Sequence, residues 1–327
     1  MTDKLKQQLP VSFVWMLEKI HELGVKQFDS LYRLFLERGW IHEDVTAEDF
    51  QADFPKYFKD HLVKDTIFSD DFCNLMCAIS GLIKCINEPN QVVLSLSGGL
   101  DSTSLLMYQL AEGKTVRAFA FKYGQKHQIE IGKAQELVKM LQEKGFPVTL
   151  QVIDLTDVFS DSQSSLRGVG DIPEGDYREE SMKSTVVENR NIIFSSIIYG
   201  KALGWAKQTG APVKIMMGLH AGDHSIYPDC RPESQEMAAE LFRISNWDSD
   251  LVSYEAPFIN INKDMVLDFG VKSCKALDLD WREVYSHTIS CYNPDTSGNS
   301  CGKCGTCTER LEAFQMLGLT DPVHYQD

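Results

Sequence analysis

Four thiols near the end of the chain have the spacing of a metal site. Cys291 stands apart, and Cys301, Cys304 and Cys307 follow as two overlapping Cys-x-x-Cys pairs, with Gly302 and Gly305 allowing turns tight enough to aim the sulfurs at one point. Four sulfurs predict tetrahedral zinc with no open coordination position, hence a structural ion that holds residues 291–307 together; an iron-sulfur cluster uses the same ligand count and is the alternative. A second chemical word lies upstream, in Ser97-Gly98-Gly99-Leu100-Asp101-Ser102-Thr103. Two glycines let backbone approach a ligand, the N-H groups of a helix start point outward, and the hydroxyls of Ser97, Ser102 and Thr103 add donors. Such a turn binds phosphate. No Gly-Lys-Ser/Thr follows the glycines, so it is not a Walker A loop. Asp101 is expected to hold a magnesium ion or orient the turn, with helix capping as the alternative.

Three further stretches carry reactive groups. Phe121-Lys122-Tyr123-Gly124-Gln125-Lys126-His127 places Lys122, Lys126 and His127 where positive or protonatable groups would favour a pyrophosphate leaving group, unless they are solvated surface charges. Arg190 begins a helix, where a guanidinium could clamp a carboxylate or phosphate with two prongs; a surface salt bridge is the plainer reading. Residues 218–231 are dense in acids, imidazoles and an aromatic. There Asp223 and Asp229 could accept the paired N-H donors of a guanine-like edge while Tyr227 offers a stacking face, although acids in turns often bond their own backbone.

These groups need a scaffold, and the pattern predicts one. Val92 to Leu96 is a mostly apolar run suited to a strand buried on both faces, and Leu105, Leu106, Tyr108 and Leu110 continue as a helix. Strands are expected over 114–122, 148–155 and 213–219, with helices over 130–144 and 191–207. That alternation implies an α/β fold with a doubly wound parallel sheet, whose ligands sit outside the carboxyl ends of the strands. The polar stretch 157–184 is expected to be a lid that keeps water from a reactive intermediate. Ahead of this domain, residues 1–90 read as a separate helical domain. Phe13, Met16, Leu17 and Ile20, and then Phe28, Leu31, Tyr32 and Phe35, form apolar stripes; Thr46 marks a helix start; and a longer helix from residue 69 carries Cys73, Cys77 and Cys85 as core residues. The break at 87–90 places the junction, leaving 91–327 as the catalytic domain with its zinc segment.

Composition narrows the partners. A net charge of -15 argues against general affinity for nucleic acid or an anionic membrane surface. Nine cysteines, an odd number with four at metal spacing, point to a reducing, cytoplasmic setting, with Cys230 and Cys274 as ordinary buried thiols. No apolar run is long enough for a bilayer, and the polar first residues lack a signal-peptide pattern.

The phosphate turn resembles the PP-loop of ATP pyrophosphatases. Together with Phe121 to His127, Tyr227-Pro228-Asp229-Cys230-Arg231, and Ser290-Cys291-Tyr292-Asn293 with the three later cysteines, it resembles the 7-cyano-7-deazaguanine synthase family over roughly 91–318. The resemblance implies an ATP-dependent carbon-nitrogen ligase. ATP would adenylate the carboxylate of 7-carboxy-7-deazaguanine, ammonia would displace AMP to give an amide, and a second activation would dehydrate it to the nitrile. By position, Ser97, Gly98, Gly99, Asp101 and Ser102 would hold the ATP phosphates, with Mg²⁺, and the four cysteines a structural Zn²⁺. Lys122, His127 and Arg190 are expected to be catalytic and Asp223, Tyr227 and Asp229 to bind substrate, from their places beside those motifs.

Two departures bear on the acceptor. Where that family typically has Val-Pro-Gly-Arg-Asn, this chain has Val187-Glu188-Asn189-Arg190-Asn191, and Leu100 replaces a common Gln. The family also lacks a domain like 1–90. A protein partner docked there would explain it, and diverged relatives occur in bacterial anti-phage systems; the nucleophile would then be a protein amine and the product a deazaguanine-protein amide. A homodimer is left open.

Overall fold

The computed structural model describes residues 89–175 and 180–326, with Tyr32, Arg33, Leu36, Thr46 and Asp49 as isolated positions before them. The chain divides into two compact units, Met1–Glu88 and Pro89–Asp327. In the first, Tyr32, Arg33, Leu36 and Asp49 are helical, and Thr46 Oγ1 accepts the Asp49 N-H at 3.1 Å, as a helix-capping threonine does. The remaining stripe residues of that unit, and Cys73, Cys77 and Cys85, lie outside the described residues.

In the second unit the apolar run becomes β1 (Gln91–Ser95), the middle strand of a five-stranded parallel sheet. On one side lie β2 (Thr115–Lys122) and then β3 (Val148–Asp154); on the other lie β4 (Val213–Met216) and then β5 (Val252–Glu255). The pleat sends successive side chains to opposite faces. Val92 and Leu94 accordingly join one core, with Leu106, Leu137 and Val271, while Val93 joins another, with Phe119, Ile198 and Ala202. The first core is covered by α1 (Leu100–Ala111), α2 (Ile129–Glu143), α5 (Lys263–Ala276), α6 (Trp281–Ser286) and α7 (Gly305–Met316). The second is covered by α3 (Arg190–Thr209) and α4 (Pro232–Ser245). No helix among the described residues is long and apolar enough to cross a membrane.

The winding decides where a ligand can sit. Strands step outward from β1 to β2 to β3, and α3 then carries the chain back to β4 on the opposite flank of β1. The segments leaving β1 and β4 therefore diverge, which opens a crevice at their carboxyl ends. The expected fourth strand stops short, at Met216. Beyond it Gly218 passes so close to α1 that a Cβ there would lie 3.3 Å from Ser102 Cα, so the chain leaves the sheet to wall the crevice. β5 adds a strand that the sequence pattern does not signal, because its four partly exposed edge residues carry no apolar run.

The stretch expected to be a lid is tied down in its described parts. Arg167 Nη1 donates to the carbonyls of Tyr123 and Thr156 at 2.6 and 3.1 Å, Lys126 Nζ to Gly170 O at 3.0 Å, and Gly175 N to Lys303 O at 3.1 Å. These bonds fasten it to the loop after β2 and to the cysteine segment.

Candidate active site and metal-binding segment

The glycine turn after β1 is shaped by its neighbours as much as by its glycines. Gly98 has φ +88°, and a Cβ there would collide with the Glu130 carbonyl at the start of α2. Ser97 N donates to Ser102 Oγ at 3.2 Å and Gly99 N to Ser97 Oγ at 3.2 Å, so both hydroxyls are drawn into the turn. From the far end of the chain, Ile289 N donates to Gly98 O at 2.9 Å, and Ser290 Oγ accepts Leu100 N at 3.3 Å.

Asp101 does not cap α1. The capping position is Gly99, which has no side chain to cap with, and the Asp101 carboxylate turns toward Lys263 Nζ at 3.5 Å and His220 Nε2 at 3.9 Å. Its Oδ1 is buried with no protein hydrogen-bond partner. Lys263 opens α5 and is 5% exposed, with Nζ 2.5 Å from Glu309 Oε2. Burial alone would push its pKa down, but Asp101, Glu309 and Asp223 together hold it above the usual lysine range. His220 Nε2 lies 3.7 Å from Asp223 Oδ1 and 3.9 Å from Glu309 Oε2. Sequence reading missed Lys263. Its one available signal, a lysine at a helix start after a strand, was hidden because that strand was not recognised.

The opposite wall is aromatic. Arg190 Nη1 donates to Tyr123 Oη at 3.2 Å, and its guanidinium lies over the rings of Tyr123 and Tyr227 at 5.5 and 5.9 Å. It makes no carboxylate salt bridge among the described residues, which sets aside the surface-pair reading. Tyr227 Oη is 2.7 Å from Thr185 Oγ1 and 3.2 Å from Tyr292 Oη. Asn189, before Arg190, has φ +54°, so an asparagine supplies the left-handed turn that a glycine would. Glu188 points outward and bonds Ser162.

Beside this wall, His127 Nε2 lies 3.4 Å from Glu130 Oε2, and Glu130 Oε1 accepts Gln125 Nε2 at 3.0 Å. Burial, aided by the Arg190 charge, pushes His127 down to about 4; burial pushes Glu130 up to about 8 against the Gln125 bond. Burial thus favours the neutral imidazole near pH 7, so of the positive or protonatable groups expected in this stretch His127 is present in its uncharged form.

One cavity of about 190 Å³ joins the two walls. Ser97, Gly99, Asp101, Ser102, Asp223 and Lys263 line the side of the glycine turn; His127, Glu130, Arg190, Tyr227 and Tyr292 line the other. Cys230 also lines it, buried and accepting Asn191 Nδ2 at 3.2 Å, whereas Cys274 sits in the core. Two expected site residues stand elsewhere. Lys122 is absent from the lining and forms a solvent-exposed ion pair with Asp154 at 3.0 Å. Asp229 is behind the wall, where its Oδ2 accepts Asn191 N at 3.1 Å and fastens the first turn of α3.

The four thiols converge as their spacing predicts. The sulfurs of Cys291, Cys301, Cys304 and Cys307 all lie within 4.8 Å of one another, with Cys301 and Cys307 4.0 Å apart. Tetrahedral zinc-sulfur bonds of about 2.3 Å place sulfurs about 3.8 Å apart, so the set fits that ion. Backbone N-H groups of Cys301 and Asn293 donate to Cys291 Sγ at 3.1 and 3.3 Å, and that of Cys304 to Cys301 Sγ at 3.3 Å, as suits thiolate ligands. The same segment is braced by buried Arg310, which grips Asp321 at 2.7 and 2.9 Å.

Comparison with known proteins matches residues 91–318 to the family described as queuosine biosynthesis protein QueC. This chain belongs to the QueC family. Curated QueC relatives agree: 7-cyano-7-deazaguanine synthase of Marinobacter nauticus is 41% identical over 238 residues, 72% of this chain and 98% of that protein. Those of Pseudoalteromonas translucida and Methanoregula boonei are each 40% identical over 237 residues, 72% of this chain and 99% of theirs. The solved structure of NMN synthetase from Francisella tularensis is similar only at a TM-score of 0.34 and 16% identity, over 72% of this chain and 81% of that one.

Proposed function

We propose that this QueC-family chain adenylates the carboxylate of 7-carboxy-7-deazaguanine with ATP and transfers the acyl group to ammonia, then activates the amide again to give 7-cyano-7-deazaguanine. The observation that carries this reading is the single cavity in which the glycine turn and buried Lys263 face an aromatic wall holding Arg190. Ser97, Gly98, Gly99 and Ser102 would hold phosphates, and Lys263 would offset the charge of departing pyrophosphate. The orphaned Oδ1 of Asp101 suits a Mg²⁺ ion on those phosphates. Tyr227 and Asp223 would bind the heterocycle, Arg190 the carboxylate, and Asp229 would act only through α3. Zinc on the four cysteines would keep the C-terminal segment pressed on the phosphate turn. The test is ATP-pyrophosphate exchange dependent on 7-carboxy-7-deazaguanine, with product mass read after ammonium is added. No exchange would sink the reading.

One observation favours a second acceptor. The matched relatives are covered almost end to end by 72% of this chain, so Met1–Glu88 is additional to what nitrile synthesis uses in them. If that unit docks a protein, its amine would replace ammonia, and the product would be a deazaguanine-protein amide of the kind suited to a defence system. Intact-mass analysis of co-expressed neighbouring proteins separates the two: a deazaguanine adduct supports conjugation, and a free nitrile supports synthesis.

A further inference from the structure

The geometry points to His127 as the base that removes protons from the reacting nitrogen, with Glu130 as its positioning residue; this rests on the ligase reading above. The His127 side chain is 5% exposed and borders the cavity, a setting in which each ring nitrogen requires a partner. Nε2 faces Glu130 Oε2 at 3.4 Å, and Nδ1 has no protein partner. Glu130 is itself fixed. Its Oε1 accepts Gln125 Nε2 at 3.0 Å, Gln125 also donates to Phe121 O at 3.0 Å, and Gln125 Oε1 accepts Tyr123 N at 2.8 Å. The Glu130 backbone carbonyl abuts Gly98, so the imidazole is held in register with the phosphate turn.

The chemistry needs such a group three times at one atom. When ammonia attacks the acyl-adenylate, its lone pair forms the C-N bond, one proton leaves nitrogen, and the C-O bond breaks with its electrons departing on AMP. In the second round the amide oxygen attacks the α phosphorus of ATP and pyrophosphate leaves. Two more protons then leave the same nitrogen as the C≡N bond completes and the C-O bond to AMP breaks. A base beside that nitrogen serves every transfer.

Four other groups on the cavity wall are unsuited. Arg190 and Lys263 are cations without a lone pair, burial holds the Tyr123 phenol up at about 12, and the Cys230 thiol is pushed well up by burial. The proton state of the pair follows from its contacts. Nδ1 carries a lone pair when Nε2-H is donated to an ionised Glu130, and burial holds that carboxyl at about 8. The groups facing the pair are Arg190 on α3, Gln125 and Tyr123 after β2, and, from the C-terminal segment, Tyr292 and, through space, Cys304.

The test uses the full chain with ATP, Mg²⁺ and 7-carboxy-7-deazaguanine, reading adenylation by pyrophosphate exchange and the nitrogen steps by product mass. His127→Gln is expected to lower product formation about 100-fold more than it lowers exchange. With hydroxylamine, which is uncharged across the range, wild-type C-N bond formation is expected to rise between about pH 7 and 9. Glu130→Gln should flatten that rise and Glu130→Asp should retain it. A flat wild-type profile, which needs no variant, overturns the proposal, as does an equal loss of exchange and product in His127→Gln. Absence of exchange in the wild type removes the ligase reading and this inference together.

Discussion

The hydroxyl of Ser290 accepts the amide hydrogen of Leu100 at 3.3 Å, joining the residue before the first zinc-spaced cysteine to the first residue of the helix behind the phosphate turn. Two parts of the chain 190 residues apart are thereby made one site. Ser290→Ala removes that acceptor, a loss of about 1 kcal/mol, and should raise KM for ATP in the exchange reaction about fivefold. An unchanged KM would show that the turn holds its shape unaided.

The cysteine segment should depend on its metal. Elemental analysis of the purified protein should find about one zinc per chain, and Cys304→Ser should lower both zinc content and Tm. ATP binding should weaken in parallel, since Ile289 and Ser290 hold the turn. Full thermal stability in a metal-free protein would contradict this.

Gly98 offers a sharper cut. Gly98→Ala imposes a Cβ at φ +88° and drives it into the Glu130 carbonyl, so the turn must distort at a cost of about 1–3 kcal/mol. Exchange should fall by about 5- to 150-fold while the helical circular dichroism persists.

Stability should respond to pH through the buried pair. His127, depressed to about 4, binds its proton more readily when unfolded, so stability rises between there and its unfolded value of 6.5. Glu130, raised to about 8, keeps its proton in the folded state, so stability falls from its unfolded value of 4.5 up to 8. The two oppose each other in the acid range, and from 6.5 to 8 only the fall remains, about 2 kcal/mol. Melting Glu130→Gln across that window should show the decline gone; a parallel decline would assign it to other groups.

Two lysines should behave in opposite ways. Lys122→Ala breaks a pair whose side chains are 40% and 56% exposed and should change stability by less than about 1 kcal/mol. Lys263→Met leaves the half-buried carboxylates around it without their cation and should cost about 2–4 kcal/mol, with exchange lost. Thermal melts of both variants, with exchange measured below the lower Tm, decide it.

Short-range pattern was enough for the parts whose physics is local. An unbroken apolar run means a strand buried on both faces, two glycines between a strand and a helix mean a tight turn, and thiols at that spacing mean sulfurs that can converge; β1, the glycine turn and the four-cysteine cluster all stand where those rules place them. Charge state and direction of approach are not local. Whether a lysine faces solvent, as Lys122 does, or three carboxylates, as Lys263 does, depends on segments distant in the chain that packing brings together. The same holds for His127, neutral because α2 and the aromatic wall bury it, and for Asp229, which serves α3 instead of the cavity. Desolvation and Coulomb interaction act through space, so only the folded arrangement could assign those roles.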